Sequence, residues 1–139
     1  MIASTFTAIG VMFAVLQYYR NGQQAVTQFE DDIEKEYRSI AKDIPVNTLL
    51  GEDVSEKDKL VFMNAFYNYI DFTNGQIQLC KNKRIRPETW ISWSEGIEEN
   101  LKLKAFNSAW KEIKEKLPSS FNELKKLEQD GFKSNPAKW

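Results

Sequence analysis

The sequence predicts an all-α protein, with an N-terminal transmembrane helix continuing into a small soluble bundle of about four helices. Three observations carry this reading. The opening run, MIASTFTAIGVMFAVLQYY, contains no charged side chain, and the first charge is Arg20. Beyond it, apolar residues recur every three or four positions, the period of a helix face. Strand-like alternation, internal repeats and low-complexity tracts are absent. The 139 residues thus divide into a membrane helix (1–20), a soluble bundle (21–130) and a loose C-terminal tail (131–139).

Met1 to Tyr19 would span about 28 Å as a helix at ~1.5 Å per residue, close to a hydrocarbon core of ~30 Å. Tyr18 and Tyr19 fall at the level of an interfacial aromatic belt, with Arg20 directly after them. A cleaved signal peptide would carry a basic stretch ahead of the apolar run, and none is present. An interfacial helix would need a charged face. A buried core helix, apolar all round, would need a larger protein about it. Arg20, Lys35, Arg38 and Lys42 all follow the span, which places the C-terminal domain in the cytoplasm of a single-pass inner-membrane protein.

The first helix is expected to continue to about Lys42 on a stripe of Val26, Phe29, Ile33, Tyr37, Ile40 and Ile44, with Gly22 as a soft point and Pro45 as the stop. Pro45 to Val54 reads as a connection. Ser55 and Asp58 approximate a capping box for a helix reaching Cys80, with a buried stripe of Phe62, Phe66, Tyr69 and Ile70. Pro87 suits the first position of the next helix, which buries Trp90, Trp93, Ile97 and Leu101. Leu103, Phe106, Trp110, Ile113 and Leu117 mark another, ended by Pro118. Ser120 with Glu123 reads as a capping box for a short last helix bearing Phe121, Leu124 and Leu127.

Composition argues against catalysis. There is no histidine, the commonest general base and transition-metal ligand. Cys80 is the only cysteine, so neither an internal disulfide nor a thiolate zinc site can form, and the free thiol suits a reducing compartment. Phosphate-cradling glycine loops and nucleophile elbows are missing. With 19 basic and 20 acidic residues, no global attraction to nucleic acid arises. We expect no enzyme activity, no cofactor, no metal and no nucleic-acid partner.

The most informative pattern lies on the first helix. Ala3, Thr7, Gly10, Ala14 and Gln17 form a stripe of small or weakly polar residues. Asn21, Gln24 and Gln28 continue it in the same phase. Small residues let membrane helices approach closely, so this stripe reads as a self-association seam or the wall of a water-filled pore. Its alternative is a lone anchor in which these residues are incidental. The basic loop Lys81, Lys83, Arg84 and Arg86 could meet an anion or a partner, or be a solvated turn. Trp90, Trp93 and Trp110 read as core filling. Trp139 lies on no evident face. Glu30, Asp31, Asp32, Glu34 and Glu36 read as a solvated face. Asp71 and Glu95, in otherwise apolar helices, are candidates for inter-helix hydrogen bonds.

The segments QFEDDIEKEYRSIAKDIP, LLGED, FYNYIDFTNGQ, TWISWSEGIEENL and AFNSAWKEI resemble an uncharacterised family of small bacterial single-pass membrane proteins with a helical soluble domain, some of them in phage-defence islands. In plan the chain is also similar to the membrane accessory protein of Cas13b-type CRISPR systems, an oligomeric pore with a degenerate HEPN-like domain. The Arg-x4-His signature of HEPN ribonucleases is excluded here by the absence of histidine. The resemblance implies a non-enzymatic membrane module and supplies no catalytic residues. The expected function is a self-associating membrane protein, a pore or membrane-perturbing effector in antiphage defence. Its partners would be membrane lipid and further copies of itself. The alternative is a membrane-tethered adaptor whose helical domain recruits a protein partner.

Overall fold

A computed structural model of the chain describes the backbone of residues 2–139 and the side chains of residues 10–139. Among the described residues every regular element is helical. The helices are α1 (Ile2–Ala41), α2 (Val46–Leu49), α3 (Lys59–Lys81), α4 (Pro87–Leu101), α5 (Lys104–Lys116) and α6 (Asn122–Gln129), followed by a 3-10 turn at Pro136–Lys138. Contacts divide the chain into two units, Met1–Ile33 and Glu34–Trp139.

The first unit is helix alone. It runs through Gly10 and Gly22 without a break, although glycine costs a helix up to ~1 kcal/mol relative to alanine. Every described side chain from residue 10 to 25 is exposed.

In the second unit, α1 ends where Pro45 requires it to. The residue before a proline is pushed out of the helical region, and Ile44 turns inward and is buried. The segment after Pro45, expected as a plain connection, winds into α2. Thr48 is fully buried and donates its hydroxyl to the Pro45 carbonyl at 2.6 Å. The Ser55 and Asp58 pair forms as a local box. The Ser55 hydroxyl donates to Asp58 Oδ2 at 3.1 Å and accepts from the Asp58 N–H at 3.3 Å, and α3 starts one residue later. Pro87 occupies the opening of α4, where its missing N–H costs nothing.

Aromatic rings fill the core. Phe62, Phe66 and Tyr69 on α3 surround Phe106 on α5, with ring centroids 5.9, 5.3 and 5.5 Å away. Trp90, Trp93, Ile97 and Leu101 line the buried face of α4, and Trp110, Ile113, Leu124 and Leu127 complete the interior. Leu117, expected in that stripe, is exposed because α5 ends before it.

Two sequence expectations need correction. The Ser120–Glu123 box does not form. Phe121 precedes α6 in a left-handed conformation, and the cap comes from α3 instead. Asn74 Oδ1 accepts the Leu124 N–H at 3.0 Å, while its Nδ2 donates to Glu123 Oε2 at 3.1 Å. The tail is not loose either. Pro136 is buried, and the turn that contains it packs against α3. The Cys80 thiol donates to Asn135 Oδ1 at 3.7 Å. The Trp139 indole donates to Ser134 Oγ at 3.2 Å, and Lys126 Nζ lies 4.5 Å from its ring centre. Burial pushes the Cys80 thiol up against a smaller opposing effect of the Ala137 backbone, which makes it a poor nucleophile.

The cap from Asn74 gives a prediction. Asn74→Ala leaves the Leu124 N–H unpaired and should cost about 1–2 kcal/mol in denaturant unfolding. Burial raises the Glu123 pKa, but hydrogen bonds from Asn74, its own backbone and Gln78, with the charge of Lys81, outweigh it and hold it below the ordinary value. A lowered folded pKa adds stability above the ordinary carboxylate range, and that stability is lost as pH falls through the folded value. Asn74→Ala should therefore also flatten the acid limb of the stability profile.

Candidate functional site

Two features could carry function, one in each unit. On α1, Val11, Met12, Phe13, Val15, Leu16, Tyr18 and Tyr19 are all exposed, from 49% for Leu16 to 83% for Tyr18. A water-facing helix normally alternates apolar and charged faces, whereas this stretch carries no charge on any face and Gln17 is its one strongly polar side chain. Of the predicted stripe, Ala3 and Thr7 lie outside the residues whose side chains are described. Gly10, Ala14, Gln17, Asn21, Gln24 and Gln28 are exposed. Gln17, Asn21 and Gln24 share one groove with Phe13, Leu16 and Arg20. Gln28 donates to Asp32 Oδ1 at 2.9 Å, a bond along the helix. Among the described residues no helix is long and apolar enough to cross a membrane. The apolar run extends through Met1–Ile9, whose side chains lie outside that description.

The second unit holds a cleft of about 350 Å³ lined by the last turns of α1, by α3 and by α4. Tyr69 forms its floor with Tyr37. Their rings meet edge to face at 6.3 Å, and Asn100 Nδ2 donates to both hydroxyls, at 3.4 Å to Tyr37 and 3.2 Å to Tyr69. Burial pushes the Tyr69 pKa up to about 12 against the opposing bond from Asn100, so its hydroxyl stays neutral at physiological pH. Trp93, Gly96 and Ile97 make the α4 wall, and Gln76 reaches in from α3. Glu34 and Arg38 stand exposed at the rim, one helical turn apart. The size falls within the range of small-molecule sites.

The structure does not join the basic loop to either feature. Lys81 ends α3, Lys83 and Arg84 turn the chain, and Arg86 precedes α4. The Lys83 N–H bonds to the Cys80 carbonyl at 2.9 Å and the Arg84 N–H to the Leu79 carbonyl at 3.0 Å, the pair of bonds that closes a Schellman cap. Lys83 occupies its left-handed position with φ 60°, where Gly51 and Gly131 serve the equivalent ends of α2 and α6. A side chain there costs roughly 1 kcal/mol. Lys83→Gly should recover about that amount in thermal or denaturant unfolding. Arg84 and Arg86 have interactions of their own.

Asp71 and Glu95 are exposed, so neither makes the inter-helix bond expected of it. That work falls to other residues. Glu128 receives the Trp110 indole N–H at 2.8 Å and Lys114 Nζ at 2.7 Å, and Asn74 and Asn100 bridge helices as described. Trp90, Trp93 and Trp110 are core residues, but Trp93 also faces the cleft. No group of acidic or thiol side chains is placed to hold a metal among the described residues.

The chain matches no known family, and no curated protein or solved structure is significantly similar to it.

Proposed function

We propose that the chain is a non-enzymatic, self-associating membrane protein, anchored by its first helix and acting as an oligomeric pore or membrane-perturbing effector. The observation that supports this most is the bare apolar helix. Side chains from Val11 to Tyr19 are left exposed, while a few tens of residues away the same chain buries its rings with almost no exposure. Lipid, or a second copy within lipid, is the environment that relieves such a surface.

Self-association rests on the composition of one face. Gly10 and Ala14 are small, Gln17 lies on the same face within the run, and Asn21 and Gln24 continue that face beyond it. A polar stripe beside bulky Phe13 and Leu16 is awkward facing lipid, and acceptable facing other copies or water. Within this reading the second unit faces the cytoplasm, because Arg20 and the basic residues after it stay on that side. A role in antiphage defence belongs to the same proposal, although no family model matches the chain.

Replacing Gly10 and Ala14 together by leucine keeps the helix apolar while filling the seam. The protein should remain in the membrane fraction but lose its higher-order species in detergent. Exchanging Met1–Tyr19 for an unrelated single-pass anchor should abolish dye leakage from expressing cells. Retention of leakage would favour the tethered-adaptor reading.

A further inference from the structure

The groove on α1 carries an inference about what the assembled helix passes, and it rests on the pore reading above. Between residues 1 and 29 the only charged side chain is Arg20. It is exposed, and it shares one groove with the amides of Gln17, Asn21 and Gln24. The nearest carboxylate in the sequence is Glu30, and Asp31 and Asp32 follow it. Ten helical residues separate Arg20 from Glu30, about 15 Å at ~1.5 Å per residue. That exceeds the ~8 Å over which physiological salt screens exposed charges. No acidic side chain of this stretch offsets the guanidinium where the apolar run ends.

The other side of the helix indicates which way the groove turns. Val11, Val15 and Tyr18, spaced four and three apart, lie across the helix from Arg20 and are 58%, 61% and 83% exposed. That face is bulky, uncharged and ends in an aromatic ring at headgroup level, which suits lipid. The groove then turns toward neighbouring copies or the lumen they enclose, and takes Arg20 with it.

Each copy in an assembly brings one Arg20 to the same height. Guanidinium does not lose its proton in a protein, so the charge of such a ring is permanent. Rings of arginine or lysine favour anions and raise the barrier to cations. This ring would stand at the edge of the hydrocarbon layer, where a charge is felt more strongly than in bulk water. The amides beside it present N–H groups that can donate to an anion losing part of its hydration.

We propose that the assembled first helix forms an anion-selective pore, with Arg20 as the residue that sets selectivity and Gln17, Asn21 and Gln24 as donors to the passing anion.

The test is the reversal potential of the full-length protein in planar bilayers of phosphatidylcholine under a gradient of potassium chloride, with insertion of each variant checked by flotation with vesicles of the same lipid. Chloride should be favoured over potassium about tenfold, equivalent to about 1.4 kcal/mol. Arg20→Lys should keep that preference, Arg20→Gln should remove it, and Arg20→Glu should turn it toward potassium. Gln24→Arg combined with Arg20→Gln returns the charge one turn further along the same groove and should restore the preference for chloride. Asp31→Asn, beyond the screening length, should leave the ratio unchanged. Channels that prefer potassium would overturn the inference while leaving the pore reading intact. A ratio that survives Arg20→Glu would do the same, and is the result expected if Arg20 lies against lipid phosphate. Inserted protein that passes no current would overturn both.

Discussion

Val11→Arg should shift the protein from the membrane fraction to the aqueous or aggregated fraction of a cell lysate. Val11 is 58% exposed and lies near the middle of the uncharged run. An arginine at the centre of a spanning helix costs about 2.5–3.5 kcal/mol, while valine there is slightly favourable. The difference corresponds to a fall of about two orders of magnitude in membrane partition. Val11→Leu should leave fractionation unchanged. Leu60→Arg is the matching control, because Leu60 is equally bare at 74% exposure but sits at the start of α3, outside the run. If Val11→Arg and Leu60→Arg behave alike, the exposed rod of α1 is not a lipid contact.

Phe66→Ala should be the most damaging truncation in the second unit. Phe66 is fully buried. Its ring stacks on Phe62 at 5.6 Å, meets Phe106 edge-on at 5.3 Å and lies 6.0 Å from Tyr69. Removing a buried phenyl ring costs about 3–5 kcal/mol through lost transfer energy and the cavity left behind. Domains of this size have total stabilities of about 5–15 kcal/mol, so about a fifth or more of the reserve would go. Urea unfolding followed by tryptophan fluorescence reads this directly, since Trp90, Trp93 and Trp110 are all buried. A loss below about 1 kcal/mol would mean that the aromatic cluster does not hold the unit together.

The helices were legible in the sequence because their determinants are local. The stripe of Phe62, Phe66 and Tyr69 repeats at helical spacing, and Pro45, Pro87 and Pro118 act on their immediate neighbours. The missed features depend on distant partners. Asn74 caps α6 from 50 residues away, replacing a Ser120–Glu123 box that satisfies the local pattern. The tail is held by Cys80 and Lys126. No short window contains either arrangement, so composition alone reads residues 131–139 as loose. The cleft left a fainter mark. Gln76 sits seven residues after Tyr69 and four before Cys80, in phase with the buried stripe, and Asn100 sits seven after Trp93. An amide where the period demands a hydrophobe marks a polar position on a buried face, whereas Asp71 and Glu95 fall on exposed ones.

The proposed function requires α1 to be a membrane helix that assembles with copies of itself. The most direct test is the native mass of the full-length protein extracted in mild detergent. The protein should leave the membrane only with detergent and appear as a defined multiple of the 16.2 kDa chain. Gly10→Leu with Ala14→Leu should reduce that species to the single chain. A protein recovered without detergent, or one strictly monomeric within its micelle, would contradict the proposed function.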